Sequence, residues 1–372
     1  MKQFHAIKSQ IGSISKTKIK AAVGLSALVV VLVAVLAVNW HARQKGQSIS
    51  IVTTPSATAK AVIPSPIPTP ALKPDLLTGE LVPTGSENLH PLAVMIENHP
   101  DARPQSGLGQ ADLVYEAIAE GGITRFMAVY SNPNQIIRVG PIRSARTYFL
   151  DFATELHAMY AHVGGNTDAL DQIATVGGVD DLNQFTIGEP VFKRDFSRNV
   201  ALEHTMYSST DKLWNFALST RHYLANQNYV SWLFQPKSLS QAASQTVKVA
   251  VSSREYDVSW QYDPASNSYK RTMAGSSHVD TNTGKQIEVK NIVIETVDRQ
   301  PVVTRINEQG WHYVLTGTGR AVVIQNGIAV VGSWKKTGAE RTRYFNDKGV
   351  EIAFVTGSTW VHIVHPDSQV SY

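Results

Sequence analysis

The segment GPIRSAR at residues 140–146 carries the most suggestive chemistry of the chain. Arg143 and Arg146 flank Ser144, and the apolar positions that follow recur at helical spacing: Ala145, Phe149, Phe152 and Leu156. We expect Ser144 to cap this helix. A helix N-terminus offers free N–H groups, and guanidinium groups pair bidentately with oxyanions. The segment therefore predicts a clamp for a phosphate or a carboxylate.

The alternative is structural. Both arginines could pair with acidic residues of the same part of the chain, such as Asp112, Glu116, Glu120 or Asp151.

Other polar residues could share a cleft with this clamp. A loop after the apolar run LAVMI supplies four of them, the segment between that loop and GPIRSAR supplies three, a strand end supplies two, and the stretch 194–207 supplies two more. The candidate ligand-binding residues are Glu97, Asn98, Arg103, Gln105, Glu116, Glu120, Arg125, Arg143, Ser144, Arg146, His162, Asn166, Arg198 and His204.

Enzymatic chemistry has weaker local support. A hydrolase or transferase could use carboxylates among Glu97, Asp112, Glu116 and Glu120, with His162 or His204 as proton carrier. The chain has no P-loop, GxSxG or HExxH motif, and we assign no catalytic residue, metal or cofactor. An SxxK at 209–212 and a KTG at 336–338 match two motifs of penicillin-recognising transpeptidases, but no SxN lies between them.

Charge and hydropathy place the chain at a membrane. Residues 1–74 hold nine Lys/Arg and no acid, whereas the remainder holds 25 basic and 30 acidic residues, which argues against nucleic-acid binding. Residues 21–40 are uncharged and long enough to cross a bilayer, and five lysines precede them. We expect a single-pass signal anchor with a cytoplasmic N-terminus. A cleaved signal peptide is the alternative, and both put the folded part outside the cytoplasm.

Composition divides the rest of the chain. A cytoplasmic basic tail (1–20) and the anchor (21–40) precede a Pro/Ser/Thr/Ala-rich disordered stalk (41–85). Apolar runs that alternate with a helical stripe predict a layered α/β domain over 86–235. Period-two alternation and the turn Asn326-Gly327 predict an antiparallel β domain, a barrel or a sandwich, over 236–372. The expected fold class is thus mixed α+β.

The motifs IENHPDARPQSG and GPIRSAR, with GWHYVLTGTGRAVVIQNG further on, resemble the YerB-like extracytoplasmic proteins over residues 84–366. The resemblance implies two domains of unknown function in a bacterial envelope protein. Lipoprotein members carry a cysteine after their signal; this chain has no cysteine, so its anchor should be the helix at 21–40. We therefore expect a binding module for an anionic or glycan envelope component, such as a cell-wall polymer, or for an envelope protein.

Overall fold

A computed structural model describes residues 71–132, 135, 137–176, 178–236 and 245–372. The predicted basic tail, the anchor at 21–40 and the stalk up to residue 70 lie outside the described residues. None of the helices in these described ranges has the length and apolar character needed to cross a bilayer.

Strands dominate the described part of the chain. The first half contains β1 (Leu72–Pro74), β2 (Leu81–Pro83), β3 (Leu92–Glu97), β4 (Leu113–Ile118), β5 (Thr124–Tyr130), β6 (Arg138–Val139), β7 (Met159–His162), β8 (Asp180–Asn183), β9 (Lys193–Arg194), β10 (Met206–Ser209) and β11 (Phe234–Gln235). Its helices are α1 (Thr147–Thr154), α2 (Thr167–Val176), α3 (Gln184–Ile187) and α4 (Thr210–Ser219).

The second half is built from strands and turns. They are β12 (Thr246–Ala250), β13 (Val258–Asp263), β14 (Ser268–Met273), β15 (Ser276–Ser277), β16 (Glu288–Val289), β17 (Asn291–Thr296), β18 (Arg299–Val303), β19 (Gln309–Tyr313), β20 (Gly317–Gln325), β21 (Ile328–Lys336), β22 (Arg343–Asn346), β23 (Phe354–Val355), β24 (Thr359–Val364) and β25 (Gln369–Ser371). The turn Asn326-Gly327 joins β20 to β21, which confirms the predicted hairpin.

One mixed sheet of ten strands unites the two halves, in the order β22-β21-β20-β17-β24-β4-β5-β3-β7-β8. β24, from the end of the chain, pairs in parallel with β4 and with β17. The boundary expected at 235/236 thus divides the sequence but not the sheet, and residues 68–372 form one compact unit.

A six-stranded antiparallel sheet (β15-β14-β13-β12-β25, with β16 beside β14) packs on one face of the large sheet. Trp260 of the small sheet meets Trp360 of the large one edge to face, with ring centroids 5.3 Å apart. These described strands close no barrel, so of the two predicted β architectures only layered packing is seen. The opposite face of the large sheet is covered by α1, whose buried Phe149 and Phe152 belong to a second apolar cluster.

Residues 71–85 differ from the predicted stalk. They form the hairpin β1–β2, and Leu77 between the strands is buried. Asp75 stabilises this turn because its carboxylate accepts hydrogen bonds from the backbone N–H groups of Leu77 and Thr78.

Candidate functional site

The direction of the strands gathers polar residues at one edge of the large sheet. β3, β4, β7 and β24 run the same way, and at their carboxyl ends lie Glu97, Glu116, His162 and His362 respectively. The antiparallel β5 begins at this edge and brings Arg125 beside Glu97. Crevices outside the carboxyl ends of strands are the usual ligand sites of open sheets.

Alternation along the strands divides these residues between the two faces. Glu97 and Arg125 pair across β3 and β5 on the face that carries α1, whereas Glu116 lies opposite Phe126 on the face that meets the small sheet. The edge therefore carries two separate polar groups.

The first group is the arginine cluster, which we define as Arg125, Arg143, Arg146, Glu97 and Glu120. Arg146 holds Glu120 through Nε–Oε1 and Nη2–Oε2 contacts of 2.5 and 2.7 Å, and Arg143 pairs with Glu97. The structural alternative raised by the sequence is thus realised: both arginines have carboxylate partners.

Charge pairing keeps both carboxylates ionised. Burial acts to raise the pKa of Glu97, but Arg125 and Arg143 outweigh it and leave that pKa lowered. Burial likewise opposes the lowered pKa of Glu120, which the hydrogen bond and charge of Arg146 produce.

Arg125 differs from its two neighbours. Arg125 is only 4% exposed, yet it forms no ion pair within 4 Å among the described residues. Nη1 donates to the Ser144 carbonyl at 3.2 Å, and the buried Nε has no partner. Three guanidinium groups against two carboxylates leave one cation in excess.

The start of α1 completes the cluster. The N-cap is Arg146, not Ser144 as the sequence predicted, and no side chain caps the helix. Arg146 cannot accept a hydrogen bond from the first turn, because a guanidinium only donates. The Phe149 N–H donates to the Arg146 carbonyl, whereas the N–H groups of Thr147 and Tyr148 keep their capacity to bind an anion.

The second group is a closed ring of hydrogen bonds on the opposite face, here called the polar ring. Arg271 of β14, which is fully buried, donates to Glu116 at 2.8 Å and also to His278. Four further hydrogen bonds close the ring. His278 donates to Gln105, Gln105 to Asn98, Asn98 to Thr124, and Thr124 to Glu116.

The surroundings of each titratable group in the polar ring determine its protonation state. Burial and the neighbouring Arg271 put the pKa of His278 well below its usual value, so this histidine is neutral. Burial lowers the pKa of His362 to about 4. The Nε2 of this histidine accepts a hydrogen bond from the Trp260 indole N–H at 2.9 Å, and its Nδ1 faces Glu116. Burial acts to raise the pKa of Glu116, but Arg271 and His362 outweigh it and leave that pKa lowered. Apart from the buried Nε of Arg271, which has no partner, the polar atoms named here are paired, and the network stabilises the packing of the two sheets.

Two family models match almost all of this fold. One, described as "Protein of unknown function (DUF3048) N-terminal domain", matches residues 77–224, and its C-terminal counterpart matches residues 247–361. The chain belongs to the DUF3048 family. The resemblance to YerB-like proteins is thereby confirmed.

This chain is similar to YerB of Bacillus subtilis both in sequence and in structure. "Putative lipoprotein YerB" of Bacillus subtilis (strain 168) is 33% identical over 282 residues, which span 74% of this chain and 81% of that protein. A crystal structure of YerB from Bacillus subtilis has a TM-score of 0.70 at 31% identity, and the match covers 81% of this chain and 100% of that chain.

The remaining predicted residues have local partners in this DUF3048 structure. His162 is buried between the Asp181 carboxylate, 2.8 Å from Nε2, and the Gly164 carbonyl. Asn166 accepts a hydrogen bond from the Ala169 N–H in the first turn of α2. Arg198 donates to the carbonyls of Asp101 and Arg103 and so fixes the turn that carries Arg103.

His204 lies beside Glu97 and stacks on His99, with ring centroids 4.7 Å apart. His99, Asp101 and His204 bring potential ligand atoms within 4.8 Å of one another. The two imidazoles are nearly parallel, at 10°, and nitrogen lone pairs lie in the ring planes. Parallel rings aim these lone pairs side by side rather than at one point, which disfavours a shared metal ion.

The transpeptidase motifs serve other roles. Lys336 of the KTG segment is buried and donates to Glu155 at 3.1 Å. Ser209 of the SxxK segment is the N-cap of α4. No contact joins Lys336 to Ser209 in the described ranges.

Sequence reasoning missed Arg271, His278 and His362. Each of them comes from the second half of the chain. Arg271 and His278 reach this site because the small sheet packs on the large one, and His362 reaches it because β24 inserts beside β4. No local motif marks them.

Proposed function

We propose that this protein is a membrane-anchored, extracytoplasmic binding module whose arginine cluster holds an anionic group of a cell-envelope component. The carrying observation is Arg125, a buried guanidinium with an unpartnered Nε next to the uncapped start of α1. An unsatisfied buried donor costs about 1–3 kcal/mol, and a bound oxyanion would remove that cost.

Arg143 and Arg146 contribute by position. Both are partly exposed, and each is held in place by a carboxylate, so little side-chain entropy is lost when a ligand arrives. A phosphate or a carboxylate fits the combination of guanidinium donors and helix N–H groups.

Hydrolysis by paired carboxylates has less support. Glu97, Glu116 and Glu120 all pair with arginine and have lowered pKa values, so none of them is suited to act as a general acid near neutrality. Asp112 has its pKa raised to about 6 by burial, but it precedes β4 and therefore lies at the opposite edge of the sheet.

The anchor and the location belong to the same proposal. The apolar segment 21–40 would hold the protein in the membrane with the folded unit outside, and the lipoprotein name of the Bacillus relative supports an envelope location. Protease added to intact cells should remove residues 71–372. Protection of this unit until the cells are lysed would contradict the location.

The binding test uses the compact unit, residues 68–372. Its retention is measured on purified cell walls that carry anionic polymers, on walls stripped of those polymers, and on anionic lipid vesicles. We expect retention on at least one anionic surface, and loss of about tenfold or more in affinity for Arg143→Gln with Arg146→Gln. Arg221→Gln with Arg305→Gln removes the same charge from exposed positions elsewhere and serves as the control.

A second variant tests the helix N-terminus without changing charge. Thr147 is the first helical residue, where proline is tolerated, and Arg146 has the extended backbone that a following proline requires. Thr147→Pro removes one N–H donor and should weaken retention severalfold while the thermal midpoint stays near that of the parent. Unchanged retention in both variants would overturn the proposal, as would release of soluble wall fragments by the parent protein.

A further inference from the structure

A second cationic surface lies away from the arginine cluster. It is a cleft of about 430 Å³ between a separate three-stranded sheet, β6-β10-β9, and the start of α4, and we call it the cationic cleft. Its charged and aromatic lining includes Arg138, Lys193, Arg194, Lys212, Tyr207 and Phe196.

Strand register explains why these side chains meet. Ser209 lies opposite Arg138, and Tyr207 lies opposite Lys193. Positions 207 and 209 share one face of β10, so their two partners share that face as well. Lys212 follows Ser209 by three residues and returns to the same side one helical turn later.

The cations of the cleft are only partly neutralised. Asp195 pairs with Arg138. Lys193, Arg194 and Lys212 have no carboxylate within 4 Å in the part of the chain that the structure describes. Both lysines are exposed, and Arg194 donates only to Leu202 and Thr205. Such a surplus is unexpected in a folded part that holds more acidic than basic residues.

Two neutral features indicate what a ligand carries besides charge. Ser209 is the N-cap of α4, yet its side chain makes no capping hydrogen bond, so its hydroxyl can bond to a ligand. Phe196 is 71% exposed at the rim of the cleft. Arg138 covers Tyr207 at 3.8 Å from its ring centroid, which leaves Phe196 as the open aromatic face.

We infer that the cationic cleft binds a phosphate ester carried on a ring, such as a phosphorylated sugar or a nucleotide. The lysines and Arg194 attract the phosphate, the Ser209 hydroxyl bonds to it, and Phe196 packs against the ring. The volume suits a ligand of that size, since small-molecule sites begin at about 300 Å³. The inference does not depend on the arginine cluster, because the two sites share none of these residues.

The test is calorimetric titration of the unit 68–372 at about 50 mM salt, where screening is weak. The probes are glucose 6-phosphate, adenosine monophosphate, inorganic phosphate and glucose. We expect one or both phosphate esters to bind, and at least about tenfold more tightly than phosphate or glucose alone. The preferred ester then identifies the ring as a sugar or as a base.

Substitutions locate the binding. Lys193→Gln with Lys212→Gln should reduce affinity about tenfold or more, and Phe196→Ala about fivefold or more. Lys285→Gln with Lys348→Gln removes the same charge from two exposed turns and should leave the affinity within about twofold.

Three results would overturn the inference. They are no binding of either ester at millimolar concentration, unchanged affinity in the Lys193/Lys212 variant, or an equal loss in the Lys285/Lys348 control. Thermal unfolding of each variant checks that it is folded, and all substituted side chains are exposed. In the Arg143→Gln with Arg146→Gln variant, the ester binding that depends on Lys193 and Lys212 should persist, which separates this site from the proposed function.

Discussion

Two buried arginines on opposite faces of the large sheet have different surroundings. Both have a buried Nε without a partner, but Arg271 also donates to the Glu116 carboxylate and to His278, whereas Arg125 donates to one carbonyl and has no carboxylate partner among the described residues. A buried charge needs compensation by a partner, and Arg271 has one within the fold. The incomplete set of contacts at Arg125 is the feature that a ligand would complete.

The pair of Glu116 with Arg271 is expected to be structural. Glu116→Gln would leave Arg271 buried without a counter-charge, and removal of one partner from such a pair costs about 3–5 kcal/mol. Urea unfolding of Glu116→Gln should show this loss, and Glu340→Gln at an exposed position should change the free energy of unfolding by less than about 0.5 kcal/mol. A Glu116→Gln protein as stable as the parent would show that the polar ring is dispensable.

Glu295 makes stability depend on pH. Burial raises the pKa of this carboxyl to about 7, with Glu155 adding to the rise and the Tyr344 hydrogen bond opposing it. The unfolded chain releases this proton near pH 4.5, so the folded state binds it more tightly. The stabilisation is complete below about pH 4.5 and is lost as pH rises through 7.

Glu295→Gln should remove this dependence. The variant and the parent should be similar at pH 4.5, and the variant should be more stable by about 3 kcal/mol at pH 8, where the parent buries a carboxylate. The comparison of the two proteins cancels the histidines, whose lowered pKa values act in the opposite direction. Parallel stability curves from pH 4.5 to 8 would contradict the assignment.

At the scale of single residues, sequence identified Arg143 and Arg146 and their acidic partners only in part. The sequence names Glu120 as a possible partner of these arginines, but it names Glu97 only as a candidate ligand-binding or acid–base residue. Local pattern predicts which residues are polar and near in sequence. It does not predict contacts such as that of Glu116 with Arg271, which join residues 155 positions apart.

Secondary-structure elements were predicted best where the signal is local. The run LAVMI, which forms most of β3, and the hairpin β20–β21 follow from apolar pattern and turn chemistry. The parallel insertion of β24 between β4 and β17 carries no local signal, because it depends on long-range pairing. The N-cap of α1 is Arg146 and not Ser144, because the Ala145 N–H donates to the Gly164 carbonyl and holds the preceding residues outside the helix.

Close packing of β21 on β22 depends on a glycine. A Cβ at Gly332 would lie 1.8 Å from the Phe345 carbonyl oxygen, so Gly332→Ala should displace β22 and destabilise the protein by at least about 1–3 kcal/mol. Gly310 of β19 has ordinary space, with nearest atoms at 3.8 Å, and Gly310→Ala should be tolerated. Equal thermal midpoints for the two variants would contradict this account of how β21 packs on β22.

At the scale of the folded unit, one sheet joins the regions matched by the two DUF3048 domain models. The N-terminal family model ends at residue 224 and the C-terminal model begins at 247, yet β24 and β17 continue the sheet from β4. Composition could separate the two halves. It could not reveal that the apolar faces of both halves complete each other, as Trp360 and Trp260 do.

Residues 71–236 alone should therefore fail to fold cooperatively. Without β24 this fragment would expose β4 as an open edge, and the face around Phe126 would lose Trp360 and the small sheet. Urea unfolding followed by circular dichroism should give a broad transition for 71–236 and a sharp one for 71–372. A sharp transition for the fragment would show that the first half is an independent domain.

The most direct measurement of the central claim is the location of a tetrahedral anion in crystals of the unit 68–372 grown with selenate. Anomalous scattering from selenium identifies the ion without ambiguity. We predict a peak within hydrogen-bonding distance of the Thr147 N–H and of at least one guanidinium of Arg125, Arg143 and Arg146, and its loss in Thr147→Pro crystals. Selenate bound elsewhere, with none at the start of α1, would contradict the claim.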